Sequence, residues 1–418
     1  MPRTSSVEIR TSPNRLLALL GPAFVAAIAY VDPGNVAANM SAGAEYGYLL
    51  LWVLVLANAM AAIVQYLSAK LGLVTGQSLP ALLGKRLSNA SRRLYWLQAE
   101  LVAAATDLAE VIGGALALYI LFGIPLLPGG ILVGILSILI LMLQGKRQRQ
   151  FEGVMIFMLI VITVGFVGGL LFVNINPTEL VAGLVPRFAD VQSLLLATSM
   201  LGATIMPHAI YLHSSLSRDR HGATIAESGD DPRLIKRLLK ASKVDVFLAL
   251  ILAGGVNIAM LVLAAASLQG VDGTDTIDGA ANVISTHLGA GVGIVFGIGL
   301  LASGLASTSV GAYAGAEIMA GLLRVRIPLL VRRIVTLLPA LIILGFGIDP
   351  TWSLIISQVI LSFGLPFAII PLVALTGKSE LMGRYVNKLP LRIAGIVIAA
   401  AIVVLNGALI VLELAGMA

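Results

Sequence analysis

The chain has 418 residues, of which 58% are hydrophobic and 11% are charged. Soluble globular domains carry roughly 25% charged residues, so this composition excludes a soluble globular protein and predicts a membrane protein with many spans. Cysteine is absent, which excludes disulfides and thiolate metal sites and leaves methionine as the source of any sulfur ligand.

The apolar segments predict eleven transmembrane helices. In chain order they cover residues 15–43, 48–73, 95–121, 125–144, 153–174, 190–216, 243–268, 290–320, 329–347, 352–375 and 390–413. Residues 1–14 are predicted to be a short, polar, basic tail without the pattern of a cleavable signal peptide. The charged stretch 217–232 is predicted to be a flexible loop, and no segment indicates a separate soluble domain.

The formal net charge of +6 is explained by the orientation of the chain in a membrane. Of the 27 Lys and Arg residues, all but Arg187 fall in the tail or in connections on one side of the predicted topology. Cytoplasmic loops carry the excess of Lys and Arg, so we expect the N-terminus in the cytoplasm and, with eleven spans, the C-terminus outside. This distribution argues against a nucleic-acid partner.

The first span contains a polar interruption. Its apolar run, residues 16–31, reaches about 24 Å as a helix, short of the roughly 30 Å hydrocarbon core, so the crossing must continue through Asp-Pro-Gly-Asn at 32–35. A carboxylate at that depth is costly unless it faces a cavity or a partner, and Pro-Gly loosens the helix and frees carbonyl groups. The tetrapeptide predicts a cation site on a broken helix. Asp32 can also simply cap the second half-helix, and the two roles are compatible.

The sixth span repeats this design. Residues 191–205 are apolar for about 22 Å, and Met-Pro-His at 206–208 then interrupts the helix. The first and sixth spans enter from opposite sides, which predicts an inverted repeat with its binding site near the membrane midplane, where the breaks meet. The predicted units are a first five-helix repeat at 15–174, a second at 175–376, and an additional helix in 377–418.

The two breaks offer a mixed set of metal ligands. Asp32 supplies an anionic oxygen, Asn35 an amide carbonyl, and Met206 a thioether, while the unwound backbone around Ala29 and Ala203 supplies carbonyl oxygens. Carboxylate and carbonyl oxygens alone suit magnesium, calcium or manganese, whereas a thioether favours softer first-row transition ions. A purely space-filling Met206 remains the alternative.

Other ionisable residues in the spans predict a route for protons. Glu100, Asp107 and Glu110 are spaced seven and three residues apart, which places them on one helical face, where buried acids share protons or pair with cations. His208 adjoins the metal site and His213 lies further toward the cytoplasm, and imidazoles exchange protons near neutral pH. A structural ion-pair network of the acids and a satisfied interior His213 are the alternatives.

These motifs resemble those of the Nramp family of proton-coupled divalent metal transporters, of the bacterial manganese-uptake type. The resemblance covers nearly the whole chain and is carried by 32–35 and 206–208, with support from 100–110, 203–213 and 357–367. It implies an all-α integral membrane protein with a leucine-transporter-like 5+5 inverted repeat, alternating access and a bacterial plasma-membrane location. It also implies uptake of Mn²⁺ or Fe²⁺ with H⁺, and of Zn²⁺, Co²⁺ and Cd²⁺ as further substrates.

The resemblance assigns roles to individual residues. Asp32, Asn35, Met206 and the Ala203 carbonyl match metal ligands, and the Ala29 carbonyl and Gln358 join them in particular conformations. The inward proton route would include the acids and histidines above together with Arg333. The resemblance implies a transporter rather than an enzyme, with no cofactor and no obligate protein partner beyond the lipid bilayer.

Three other classes stay open at the level of sequence. A sodium- or proton-coupled small-solute symporter of the same fold would need a substrate pocket, and a channel would need a filter or a ring of ligands. A membrane metalloenzyme would need a motif such as His-Glu-x-x-His, which the sequence lacks. The ligand types do not rank Mn²⁺ against Fe²⁺.

Overall fold

The structure is a computed structural model that describes residues 21–144, 148–229, 231–325 and 327–415. These residues form helices and turns, without strands. The predicted tail 1–14 and the start of the predicted first span lie outside the described residues. The helices are α1 (Pro22–Ala27), α2 (Pro33–Tyr46), α3 (Leu51–Thr75), α4 (Leu79–Arg86), α5 (Asn89–Phe122), α6 (Leu126–Gln144), α7 (Gln148–Val167), α8 (Pro177–Ala182), α9 (Val191–Ile205), α10 (Pro207–Glu227), α11 (Pro232–Ser267), α12 (Ile277–Leu288), α13 (Ala290–Leu322), α14 (Leu329–Gly345), α15 (Pro350–Thr376), α16 (Ser379–Met382) and α17 (Leu389–Leu414).

Eight helical segments of the described chain are long and apolar enough to cross a membrane. They are α3, α5, α7 with the following 3₁₀ turn, α9 with α10, α11, α13, α15 and α17. Two shorter apolar helices, Pro22–Val31 and Leu126–Ile140, accompany them. The predicted all-α integral membrane fold is therefore confirmed, while the count of eleven spans and the boundaries of the two repeats stay predictions.

Close helix packing encloses the two broken helices. α13 packs against α5 and α7, α11 packs against α2 and α3, and α9 packs against α15 and α2. Small residues allow this approach: a Cβ at Gly165 in α7 would lie 3.0 Å from the Cα of Gly299 in α13, and one at Gly304 would lie 3.0 Å from the Cα of Gly114 in α5. In lipid, where apolar burial drives helix association weakly, such contacts between small residues bring helices together.

Large apolar side chains cover the outside of the bundle. Ile135 on α6, Phe157 on α7, Val335 on α14 and Val404 on α17 are all exposed. A soluble protein rarely exposes so much apolar surface, whereas in a bilayer this surface meets acyl chains. The polar groups are instead collected inside, around the breaks.

The prediction of a flexible loop at 217–232 is wrong. α10 continues through this segment to Glu227, and α11 begins at Pro232. Ser217, His221 and Ile225 are buried at a spacing of four residues, so they form one helical face, and Ile225 packs against Leu73 of α3. Composition alone did not predict this short buried stripe, because charged residues occupy the opposite face of the helix.

Candidate metal site at two helix breaks

The first break is a short extended segment between α1 and α2. A 3₁₀ turn, Ile28–Val31, follows α1, and Asp32 is extended with φ −73° and ψ 168° before Pro33 begins α2. Asp32 caps α2, because its Oδ1 accepts hydrogen bonds from the Asn35 backbone N and from Asn35 Nδ2, both at 2.8 Å. The cap uses one carboxylate oxygen and leaves Asp32 Oδ2 buried without a hydrogen-bond partner.

Polar side chains from neighbouring helices hold the unwound backbone of this break. Asn257 Nδ2 of α11 donates to the Tyr30 carbonyl at 2.8 Å, and Ser303 Oγ of α13 donates to the Val31 carbonyl at 2.5 Å. Buried carbonyls without partners are costly in a membrane, so these two side chains stabilise the interruption. The break is thus anchored to the two helices that surround it.

The second break centres on Met206. This residue has φ 39° and ψ 111°, a conformation that side-chain-bearing residues rarely adopt, and it separates α9 from α10. Such a residue costs of order 1–3 kcal/mol and persists only where the surrounding structure enforces it. Met206 is fully buried. The predicted interruption of the sixth span is therefore present, with its sulfur-bearing residue at the turning point.

The same arrangement of alanine and proline frees one carbonyl in each break. In an α-helix the carbonyl of residue i accepts from the N–H of residue i+4, and proline has no N–H. Pro33 stands four residues after Ala29, and Pro207 stands four residues after Ala203. Both alanine carbonyls therefore lack their usual helical donor and are available to other partners.

The two breaks touch each other through Asn35. Asn35 Nδ2, which already donates to Asp32, also donates to the Ala203 carbonyl at 3.0 Å. One amide group thus joins a carboxylate of the first break to a freed carbonyl of the second. This contact spans 168 positions of sequence.

Helix α15 closes the site from a third direction. A Cβ at Gly34 would overlap the side-chain amide of Gln358, and a Cβ at Gly202 would overlap the Gln358 backbone carbonyl. Glycine at both positions lets α15 press against both breaks. Gln358 Nε2 donates to Ser357 Oγ at 3.1 Å.

Three buried oxygen atoms at this junction have no hydrogen-bond partner. They are Asp32 Oδ2, Asn35 Oδ1 and Gln358 Oε1. Buried acceptors are nearly always satisfied, so three orphan oxygens around one contact point indicate a place for a cation. In the described residues no group of three or more His, Asp or Glu side chains forms a metal cluster, so the donor set here is one carboxylate with neutral oxygens and a nearby thioether.

The predicted acid stripe on α5 is divided into two parts. Asp107 and Glu110 are buried together, since a Cβ at Gly311 of α13 would lie 3.0 Å from Glu110 Oε1 and 3.4 Å from Asp107 Oδ1. Arg333 Nη1 lies 3.0 Å from Asp107 Oδ1 and the arginine is 1% exposed. Both Glu110 oxygens lack a hydrogen-bond partner.

Glu100 belongs to a different ion pair. Its Oε1 lies 2.9 Å from Arg332 Nη2, two helical turns along α5 from Asp107. The sequence analysis did not predict Arg332 as the ion partner of Glu100. Two consecutive arginines gave no signal as to which acid each would meet, because Arg332 and Glu100 lie 232 positions apart.

The two predicted histidines each use one ring nitrogen. His208 Nδ1 lies 3.2 Å from Thr106 Oγ1, directly beside Asp107 on α5, and His213 Nδ1 lies 2.8 Å from Gln65 Oε1 on α3. The Nε2 atoms of both rings are buried without a partner. His208 therefore lies between the second break and the α5 acids, whereas His213 is further along α10.

Residues 23–412 match the family model of natural resistance-associated macrophage protein-like proteins. The chain belongs to the Nramp family. A divalent metal cation transporter MntH of Mycobacterium tuberculosis (strain CDC 1551 / Oshkosh) is 55% identical over 410 residues, which are 98% of this chain and 95% of that protein.

Solved structures support the same placement. A manganese transporter of Eremococcus coleocola, in complex with an aromatic bis-isothiourea substituted compound, superposes with a TM-score of 0.83 at 30% identity, covering 96% of this chain and 88% of the other. MhsT in complex with L-phenylalanine superposes with a TM-score of 0.60 at 17% identity, covering 92% of this chain and 98% of the other. That second similarity supports only the predicted leucine-transporter-like fold of this Nramp chain.

Asp245 of α11 fastens the beginning of α1 in this Nramp protein. Its Oδ1 and Oδ2 accept from the Gly21 backbone N at 3.1 and 3.2 Å, and Oδ2 accepts from the Ala23 backbone N at 3.0 Å. The sequence prediction missed this residue, although a lone carboxylate inside an apolar helix was a signal.

Asp32, Asn35 and Met206 are all fully buried, so the site is closed to solvent in this conformation.

Proposed function

We propose that this protein imports divalent transition-metal ions, Mn²⁺ and Fe²⁺ first among them, and couples their entry to protons. Its family is one of membrane transporters for divalent metal cations. The observation that carries the proposal is the Asn35 amide, which joins Asp32 to the Ala203 carbonyl in the middle of three orphan oxygens. This junction supplies the charge and the ligand atoms for one divalent ion.

The Asn35 amide now stands where the ion would bind. Its NH₂ group donates to two acceptors, Asp32 Oδ1 and the Ala203 carbonyl, which are the atoms that a cation would attract. Rotation of the amide would release both acceptors and turn the orphan Oδ1 toward the ion. Asp32, Asn35 and the Ala203 carbonyl would then act as ligands, with Met206, the Ala29 carbonyl and Gln358 completing the set.

Met206 supports the choice of a transition metal. Hard ions such as Mg²⁺ and Ca²⁺ gain little from a thioether, whereas Mn²⁺, Fe²⁺, Zn²⁺, Co²⁺ and Cd²⁺ accept a mixed oxygen and sulfur set more readily. The backbone strain at Met206 supports a ligand site at this position, because strained residues that the fold enforces cluster at such sites.

Protons enter the proposal through Asp32 and the groups on α5. Binding a doubly charged ion disfavours the protonated form of Asp32, so ion and proton compete for one carboxylate. His208, beside Thr106, leads from the site toward Asp107 and Glu110, where Arg333 pairs with Asp107. We propose this chain of groups as the proton route, with Glu100 and His213 as candidates for its inner end.

Alternating access requires α1 to part from α11 on the side predicted to be cytoplasmic. The hydrogen bonds from Gly21 and Ala23 to Asp245 hold that side closed, while the Asn257 and Ser303 contacts hold the break itself. We propose that the hydrogen bonds to Asp245 are lost during opening. The Asn257 and Ser303 contacts would persist and move together with the unwound segment of the first span.

Asp32→Ala tests the proposal in proteoliposomes that are loaded with a metal-sensitive dye. Removing the Asp32 carboxylate from the junction should reduce Mn²⁺ uptake at least tenfold, because each tenfold loss corresponds to about 1.4 kcal/mol of binding and a charged ligand contributes more than that. Asp272→Ala, which removes an exposed carboxylate from a connecting turn, is the matched control. Wild-type uptake by Asp32→Ala would refute the site.

A further inference from the structure

A cavity of about 870 Å³ opens between α3, α11 and the connection that precedes α17. It lies at the end of the molecule predicted to be cytoplasmic, away from the two breaks. Six of its lining residues are cationic and none is acidic. The cations are Lys70, Lys236, Lys240, Lys243, Arg384 and Lys388.

No carboxylate among the described residues neutralises the positive charges of this cavity. Within the described part of the chain, none of the six cations forms an ion pair with a carboxylate. Lys236, Lys240 and Lys243 lie on one face of α11, where like charges one turn apart repel each other. Such a concentration of unpaired cations attracts an anion.

Lys70 is the strongest single indication of a ligand. It is 5% exposed, and its Nζ donates to Asn387 Oδ1 at 2.7 Å, whereas an ammonium group carries three donors. Asn387 is itself held by Thr376, because Asn387 Nδ2 donates to Thr376 Oγ1 at 2.8 Å. A buried ammonium without a carboxylate is costly, so its position on the cavity wall favours an anionic oxygen as the missing acceptor.

The rest of the cavity is apolar and continues onto the lipid-facing surface. Ile63 and Val246 line it, and so does Phe247, which is 61% exposed. Along α11 the lysine face runs directly into Phe247 and the exposed Ile251 at a spacing of four residues. A ligand here would therefore place its charge among the lysines and its apolar part along α11.

We infer that this cavity binds the phosphate headgroup of an anionic phospholipid from the inner leaflet. Charge complementarity selects the headgroup, and the apolar continuation of the wall selects a lipid over a free anion. Basic pockets between transmembrane helices on the cytoplasmic side are suited to such headgroups. The bound lipid would bridge α3, α11 and the connection before α17, where Tyr385 already donates from its hydroxyl to the Pro232 carbonyl at 3.1 Å.

The test measures lipid binding directly, without transport. The full chain is purified in a neutral detergent and titrated with phosphatidylglycerol, phosphatidylcholine or inorganic phosphate, with bound lipid counted by native mass spectrometry and Tm followed in parallel. Wild type should retain phosphatidylglycerol and gain in Tm, and phosphatidylcholine and inorganic phosphate should give neither effect. Retention should weaken with added salt, because the attraction is partly screened.

Matched variants locate the binding. The double variant Lys240→Gln with Lys243→Gln removes two exposed cations of the cavity, and Lys85→Gln with Arg86→Gln removes two exposed cations of α4. With about a fivefold contribution for each lysine near the headgroup, the first pair should lose roughly 25-fold in affinity and the second little. Equal retention by both double variants, or an equal Tm gain from inorganic phosphate, would overturn the inference, and neither result bears on the metal site.

Discussion

At the scale of single residues, two prolines free backbone carbonyls at the proposed ligand site, because proline has no N–H. Pro33 and Pro207 have no N–H, so the carbonyls of Ala29 and Ala203, four residues earlier in each break, are released from the helical ladder. The Ala203 carbonyl is then free to accept from Asn35. The same two-residue logic acts in both halves of the chain, which is why a reading of sequence alone could place both breaks.

Met206 is the residue on which metal preference should depend. Met206→Ala removes the thioether while keeping a side-chain-bearing residue at the strained position, so we expect Ca²⁺ to inhibit Mn²⁺ uptake more strongly than in wild type. Competition assays in proteoliposomes measure this as a lower inhibitory concentration of Ca²⁺. Met200→Ala, another fully buried methionine of the same helix region, controls for lost volume. Equal Ca²⁺ inhibition in both variants would show that the Met206 thioether does not determine metal preference.

At the scale of elements, the described helices show where prediction from sequence succeeds. Hydropathy identified the long apolar helices, and Pro-containing polar interruptions located both breaks, because each signal is local in sequence. The segment around His221 was predicted wrongly, because its buried stripe is only three residues long and is formed by packing against α3. Ion partners such as Arg332 for Glu100 depend on which helix faces meet, and that information is not local.

The joint between α1 and α11 should control opening on the side predicted to be cytoplasmic. Asp245→Ala removes the acceptor of the Gly21 and Ala23 N–H groups, so α1 should part from α11 more often. The natural chain has no cysteine, which allows a single Cys at Ala26 to report access to a membrane-impermeant maleimide. We expect several-fold faster labelling with Asp245→Ala.

The control for this experiment is Asp349→Ala, which removes a carboxylate that caps α15 through the Trp352 N–H at 2.6 Å. This substitution also removes a carboxylate that caps a helix, but it leaves the contact between α1 and α11 unchanged. Unchanged labelling with Asp245→Ala, or equal acceleration with both substitutions, would contradict a gate at Asp245.

At the scale of the whole molecule, polar side chains from four helices, α2, α11, α13 and α15, converge on two breaks inside an apolar shell. Asn257 and Ser303 satisfy backbone carbonyls, and Asn35 joins the two breaks through the Ala203 carbonyl. Each of these groups would be costly if left alone in a bilayer, so the network holds only when every helix is in place. The sequence predicted Asn35 as a site residue but did not point to Asn257 or Ser303, because their contacts depend on which helix faces meet in the folded bundle.

The division of the α5 acids predicts that coupling and metal transport can be separated. Glu110 is buried with two unpartnered oxygens beside Asp107, whereas Glu100 is paired with Arg332, so Glu110→Gln should remove a proton acceptor while leaving the junction at Asp32 intact. We expect Glu110→Gln to retain Mn²⁺ uptake at a reduced rate and to lose most of the accompanying proton entry, measured with a pH-sensitive dye inside the liposomes. Glu100→Gln, the same change at the acid that pairs with Arg332, should keep more of the proton signal. Equal proton entry in Glu110→Gln and wild type would show that Glu110 serves only to hold α5 against α13.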